Sequence, residues 1–160
     1  MNKDFRIVVA IDLQSGTDRL LAEAQRYGLA LHAVVDIIHV APPKPDFVGY
    51  IKTGDRGEKN QDNVIRDTEA KALRVEHEQT QGYAAALRGK GVRVERALTI
   101  QGPTVATIMD ETRKLGADLL ILGSHHHGAI HRLWFGDIAL DAVKQAPCPL
   151  LVVPLPGRPD

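Results

Sequence analysis

Short apolar runs alternate with helical patterns along this chain, and that alternation limits the folds open to it. Three runs, Arg6–Ile11, Ala33–Val40 and Asp118–Leu122, have the composition of buried strands. Val92–Leu98 alternates apolar and polar residues like an edge strand, and Pro149–Pro154 is a fifth, proline-bracketed strand. Strands that alternate with helices form right-handed βαβ crossovers. We therefore predict an α/β fold, a doubly wound parallel sheet with helices on both faces.

Four segments with helical spacing separate these runs. The predicted helices cover Asp18 to Leu31 with Thr17 as N-cap, Gln61 to Arg88, Pro103 to Leu115, and a segment that follows Gly136. A long irregular loop is predicted from Ala41 to about Lys59, because prolines and glycines interrupt that stretch.

Length and charge exclude several classes of protein. The chain has 160 residues, which predicts one domain over residues 1–155 and a loose tail over 156–160. Its 20 basic and 20 acidic residues balance, so no basic excess predicts nonspecific binding to nucleic acid or to an anionic membrane. We see no apolar run long enough to span a membrane and no signal-peptide pattern. With its single cysteine, Cys148, these features favour a cytoplasmic protein with an inert, packed thiol.

The segment from Gly123 to Asp137 has the pattern of an anion site. It follows an apolar strand that is predicted to stop at Leu122, contains three consecutive histidines and leads into a helix. Unpaired N–H groups and the positive end of the helix dipole attract anions such as phosphate at such a junction. Asp12 follows the first strand, and ligands of parallel sheets bind beyond the carboxyl ends of the strands. If the two strands are neighbours, Asp12 and Gly123 flank one crevice.

Taken together, the motifs resemble a universal stress protein domain over nearly the whole length. The resembling segments, in chain order, are Ile7–Asp12, Ile38–Val40, Ala117–Ser124, the positions Gly128, Arg132 and Gly136, and Ala146–Pro154. The resemblance implies a five-stranded parallel sheet of order 3-2-1-4-5 with four helices, of the adenine nucleotide alpha hydrolase type. It also implies a homodimer through the last strand, Pro149 to Pro154.

One branch of that family binds ATP through a loop of three spaced glycines followed by serine or threonine. Gly123 and Gly136 occupy the first and third glycine positions, but His126 stands at the second and Asp137 at the serine or threonine position. The resemblance implies that Asp12 holds the ribose hydroxyls and that Ala10, Ile11 and Val40 form the adenine slot. The residues implied around the phosphates are Gly123, Ser124, His125, His126, Gly136, Asp137, Ile138 and Ala139. Leu122, Gly128 and Arg132 complete the implied nucleotide-binding residues.

Several of these residues have a second interpretation. Asp12 can be a turn former, Asp137 can stabilise the first turn of a helix, and Arg132 can be a solvated surface residue. The histidines at 125 to 127 could contact phosphate, form a ligand-free hydrogen-bonded loop, or bind a metal with help from His131 and His39. Crowding in one loop disfavours the metal, and we predict no metal site.

The expected function is a stress-response regulatory module that binds ATP, AMP or another adenine nucleotide as a homodimer. Asp137 would weaken phosphate binding unless Mg²⁺ bridges the carboxylate and the phosphates. The alternatives are a structural or adaptor dimer without nucleotide, and slow ATP hydrolysis, for which the sequence offers no residue to act as base. No catalytic residue is predicted, and the protein partner is unknown.

Overall fold

The computed structural model describes residues 3–41, 58–125 and 137–156. Most of the predicted loop between the second strand and the second helix (residues 42–57) lies outside these ranges. The same holds for the predicted site residues His126, Gly128, Arg132 and Gly136, for His127 and His131, and for the tail from residue 157.

The five predicted strands form one parallel sheet. Their bounds are β1 (Arg6–Ile11), β2 (Val34–Ala41), β3 (Arg93–Gln101), β4 (Leu119–His125) and β5 (Leu150–Leu155). The strand order is β3-β2-β1-β4-β5, which confirms the predicted topology and places β3 and β5 at the edges. The order reverses between β1 and β4, where a doubly wound sheet forms its ligand crevice.

Four helices cover the two faces of this sheet. They are α1 (Thr17–Ala30), α2 (Glu58–Gly89), α3 (Thr104–Leu115) and α4 (Asp137–Gln145). Buried residues of α1 and α2 pack with alternate residues of the central strands in one apolar cluster, and those of α3 and α4 pack in another on the opposite face. No helix in the described ranges is long and apolar enough to cross a membrane.

Several predicted bounds differ from the observed ones, and two of the differences lie at the candidate site. Thr17 is not the N-cap of α1, because Gly16 holds that position at φ 100° and Thr17 is the first helical residue. The buried Thr17 hydroxyl instead donates to the carbonyl of Gln14 at 2.9 Å. Likewise β4 does not stop at Leu122 but continues to His125, because β5 pairs with it as far as Leu155.

A buried carboxylate organises the amino ends of β1, β2 and β3. Asp36 on β2 is fully buried and accepts hydrogen bonds from the Arg6 guanidinium at 2.5 Å and from the backbone N–H of Arg96 at 3.0 Å. The pairing of β2 with β3 shifts register between Val35 and Asp36, which indicates a bulge in β3 at Glu95. Asp36 therefore caps a backbone donor at this irregularity and neutralises the half-buried Arg6.

Polar side chains complete the narrow apolar contact between α2 and the sheet. Gln81 donates to the carbonyl of Ala97 at 2.8 Å, and Arg88 Nε donates to the carbonyl of Val94 at 3.0 Å. Both acceptors lie on β3, so α2 is tied to the edge strand by hydrogen bonds as well as by burial.

Candidate functional site

A crevice is expected where β1 and β4 stop pairing. The two strands pair from Ile7 with Leu119 to Val9 with Ile121. Beyond that point β1 runs to Ile11 and β4 runs to His125, while β4 remains paired with β5. The separation lies at the carboxyl ends of the strands, at the reversal of strand order, where ligands of this fold class bind.

One wall of this region is apolar. Ala10, Val40 and Leu122 come from three adjacent strands, and all three belong to the cluster on the α3 and α4 face. Ile11 was predicted to join them, but its side chain belongs to the cluster on the α1 and α2 face. Alternate residues of a strand point to opposite faces, so only the backbone of Ile11 is available to the wall.

Asp12 stands in a tight turn at the end of β1. Its Oδ1 accepts the N–H of Gln14 at 3.0 Å, which is the geometry of an Asx turn. Leu13 between them has φ 59°, a left-handed conformation that costs a branched residue about 1 kcal/mol or more. Leu13 also packs on the buried cluster, and Thr17 bonds to the Gln14 carbonyl. The turn-forming interpretation of Asp12 is therefore correct, and it does not compete with ligand binding because a carboxylate accepts several donors.

The β4 side of the crevice carries Gly123, Ser124 and His125 in an extended strand rather than a loop. Gly123 is required there by packing. A Cβ added to it would overlap Leu155 Cδ1 and would lie 3.1 Å from Leu155 Cγ and 3.2 Å from Leu20 Cδ1. Close packing against Leu155 and Leu20 is thus a structural reason for glycine at position 123, which the sequence pattern did not reveal.

Helix α4 begins at Asp137, and Ile138 and Ala139 follow in its first turn. An acidic residue in a first turn is stabilised by the helix dipole and competes with any phosphate for the same N–H groups. The remaining phosphate-side predictions, His126, Gly128, Arg132 and Gly136, lie outside the described residues, so the structure describes only part of the predicted phosphate side.

His39 is a buried polar residue next to the crevice that was not assigned to the nucleotide site. It lies opposite Ile11 in the pairing of β1 with β2 and is only 5% exposed. Its Nδ1 lies 2.9 Å from the Ile11 carbonyl oxygen, and its Nε2 lies 3.4 Å from Glu76 Oε2 on α2. In the sequence, a histidine within the otherwise apolar strand end Ile38–Val40 could have indicated a buried polar contact. Nothing in the sequence around Glu76 indicated that it would be the partner.

Acids with a lowered pKa lie at the other end of the sheet. The backbone N–H of Arg6 and, secondarily, Lys3 lower the pKa of Asp118. Burial, with a smaller contribution from Asp118, raises the pKa of the Cys148 thiol, as expected for an unreactive cysteine. In the described ranges no three histidines, cysteines or acids cluster closely enough to hold a metal ion. The described part of the predicted site thus combines buried apolar side chains with one carboxylate.

Comparison with known proteins agrees with this geometry. A family model described as the universal stress protein family matches residues 5–154. A universal stress protein of Thermus aquaticus is 28% identical over 147 residues, covering 92% of this chain and 96% of that protein.

Solved structures share the fold. A universal stress protein in complex with cAMP has a TM-score of 0.64 at 15% identity, covering 96% of this chain and 99% of its own. A universal stress protein of Archaeoglobus fulgidus in complex with dAMP has a TM-score of 0.57 at 20% identity, covering 92% and 96%. Because the family model spans nearly the whole sequence, this chain belongs to the universal stress protein family.

Proposed function

We propose that this chain is a regulatory module of the stress response that binds an adenine nucleotide in the crevice between β1 and β4. The observation that carries the proposal is the separation of these strands beyond Val9 and Ile121, with Asp12 at the end of β1. The family assignment supports the stress-response role, and the complexes of two relatives with cAMP and dAMP support the ligand class.

The adenosine half of the ligand fits the described residues. Ala10, Val40 and Leu122 are buried in the apolar cluster at the strand ends, and a purine ring would lie over them. The Asp12 carboxylate can accept the ribose hydroxyls while it keeps its bond to Gln14. The turn is held before ligand arrives, which lowers the entropic cost of binding.

In this proposal, Asp137 weakens the binding of the ligand's phosphate groups. Asp137 is the first residue of α4, and an acid at that position competes with a phosphate for the helix dipole. Like charges at such a partly solvated site repel by roughly one to a few kcal/mol. The ligand is then held chiefly by its nucleoside half, and a nucleotide with one phosphate is favoured over ATP. Mg²⁺ could offset the repulsion by bridging carboxylate and phosphates.

The module acts as a homodimer through β5. This strand is an edge of the sheet, it is short and apolar, and Val152 on it is 38% exposed. An open apolar edge invites pairing with another strand, and a two-fold axis would pair β5 with its own copy. Partner binding by this dimer, rather than turnover, would transmit the signal.

The experiment is to identify by mass spectrometry any nucleotide retained after gentle purification, and then to titrate the emptied protein with AMP and ATP. We expect an adenine nucleotide, AMP affinity at least equal to ATP affinity without Mg²⁺, and no turnover. Asp137→Ser should strengthen ATP binding by roughly tenfold, since it removes a repulsion of about 1.4 kcal/mol or more. Unchanged ATP affinity in Asp137→Ser, with and without Mg²⁺, would refute the repulsion, and absence of binding by any adenine nucleotide would refute the function.

A further inference from the structure

One neighbouring strand holds the end of β1 in the described part of the sheet. Pairing of β1 with β4 stops at Val9, whereas pairing with β2 continues until Ile11 lies opposite His39. The next residue is Asp12, whose carboxylate is assigned to the ribose. The contacts that β2 makes with Ile11 are therefore the last sheet contacts before the turn that carries this carboxylate.

The side chain of His39 makes one of these contacts. Its Nδ1 lies 2.9 Å from the Ile11 carbonyl oxygen, and because a carbonyl only accepts, Nδ1 carries a proton and donates it. This N–H is present in the neutral ring and in the charged ring, so the bond does not depend on the charge of the histidine. His39 is buried, and loss of the donor would leave a buried carbonyl without this partner.

The bonded carbonyl controls where the turn begins. The Ile11 carbonyl and the α-carbon of Asp12 belong to one planar peptide unit, so a donor that fixes the carbonyl direction also fixes the position of that α-carbon. The chain that follows is strained, since Leu13 holds φ 59° and such a conformation persists only where surrounding contacts over-determine it. Two of those contacts are the Asx bond of Gln14 and the bond from Thr17 to the Gln14 carbonyl.

The other ring nitrogen of His39 faces a different element. Its Nε2 lies 3.4 Å from Glu76 Oε2 on α2. A role in packing α2 on the sheet would depend on the volume of the ring and on Nε2. A role in the Asp12 turn depends on the donor at Nδ1. The two roles therefore use different atoms of one side chain.

We propose that His39 is a positioning residue of the nucleotide site, whose Nδ1–H bond to the Ile11 carbonyl holds the peptide from which the Asp12 carboxylate reaches the ribose. This inference rests on the proposed function for its ligand. Two amide substitutions separate the bond from packing. The amide nitrogen of asparagine lies as many bonds from Cβ as Nδ1 does, and that of glutamine as many as Nε2. His39→Asn therefore keeps a donor for Ile11, whereas His39→Gln places its donor toward Glu76.

The first arm of the test needs no ligand. In the native protein, NMR signals of the ring nitrogens should show a proton on Nδ1 at neutral pH. A proton on Nε2 alone would overturn the proposal, and this result requires no variant to fold. The Gln14 amide, which donates to Asp12, reports on the turn. Its protection against hydrogen exchange should be close to native in His39→Asn and severalfold lower in His39→Gln.

The second arm is a titration with adenosine, which has no phosphate to repel Asp137. His39→Asn should bind within about twofold of the native affinity, and His39→Gln should bind roughly three- to tenfold more weakly. Glu76→Gln is the control for the contact with α2. It leaves the Nδ1 bond in place and should leave the affinity unchanged.

Urea unfolding of the same variants separates positioning from stability. His39→Asn removes more side-chain volume from a buried site than His39→Gln, so it should cost at least as much unfolding free energy. A merely structural role predicts the larger loss of binding in His39→Asn, and the positioning role predicts the reverse. Equal adenosine affinity in the two variants, or weaker binding by His39→Asn, would overturn the proposal. If Gln14 protection separates the variants but the native protein binds no adenosine, the positioning role stands and the proposed ligand is wrong.

Discussion

The α-carbon of Gly123 lies against the side chain of Leu155, at a distance that leaves no room for a Cβ. Leu155 is buried and also contacts the position of Gly16, the N-cap of α1. One leucine thus packs the end of β5 against both β4 and the start of α1. Gly123 stands at the first glycine position of the family's nucleotide pattern, and its packing against Leu155 is a structural role that mutation can test.

Gly123→Ala should destabilise the fold by about 1–3 kcal/mol, because the added methyl overpacks a filled site. Leu155→Ala alone should cost about 2–5 kcal/mol. The double variant should cost less than the sum by about 1 kcal/mol or more, since the smaller residue at 155 makes room for the methyl. Urea unfolding of the four proteins measures this coupling. Additive losses would show that Leu155 is not the obstacle.

Asp36→Asn should cost about 3 kcal/mol or more of unfolding free energy, because a buried charge pair loses one partner and the Arg6 guanidinium remains. The matched control is Asp4→Asn, which removes an exposed carboxylate paired with Arg93. That change should shift stability far less, since water screens the pair. Equal losses in the two variants, measured by urea unfolding, would contradict the role given to Asp36.

Asp118 should make folding stability depend on acidic pH. Its pKa is lowered in the folded chain, chiefly by the N–H of Arg6 and then by Lys3. A lowered folded pKa gives stability that is present above the ordinary aspartate value of about 3.9 and is lost as pH falls through the folded value. Asp118→Asn should therefore cost up to about 1 kcal/mol at neutral pH, a small figure because the side chain is partly exposed.

The measurement for Asp118 is urea unfolding at about pH 7 and about pH 3. The difference between native protein and Asp118→Asn should shrink at the lower pH, because the stability that the carboxylate contributes is lost as pH falls toward its lowered folded pKa. A difference that stays constant between the two conditions would show that the carboxylate charge contributes nothing.

Val152→Glu should convert the proposed dimer into a monomer, because it places a charge on the exposed apolar edge of β5. Val75→Glu is the control, since Val75 is 53% exposed on α2, away from that edge. Light scattering would give twice the chain mass for the native protein and for Val75→Glu. A native protein that remains monomeric at high concentration would exclude the β5 dimer.

The helices and strands and their order along the chain could be predicted from the sequence, because apolar runs and helical spacing report burial directly. The order of the strands within the sheet came from the family resemblance. The end of β4 could not be predicted, since its length depends on pairing with β5 and on the packing of Leu155 against Gly123. The bulge in β3 had a signal that was not used: Glu95 and Arg96 are two consecutive charges that break the alternation of that strand.

Within the predicted site, the resemblance placed Asp12 at the end of the first strand, and Asp12 does follow β1. It did not distinguish the faces of the strand, so Ile11 was assigned to the adenine slot although its side chain packs on the other side. The pairing of His39 with Glu76 joins residues far apart in the chain through the packing of α2 on β2. No local pattern contains that contact.

Calorimetric titration of AMP into native protein, Asp12→Asn and Asp18→Asn tests the central claim most directly. Asp18 is an exposed carboxylate in the first turn of α1, so its variant controls for the loss of charge. We predict that Asp12→Asn weakens AMP binding roughly tenfold or more, as expected for hydrogen bonds to a charged group, and that Asp18→Asn leaves it unchanged. Equal AMP affinity in native protein and Asp12→Asn would contradict a nucleotide site at the end of β1.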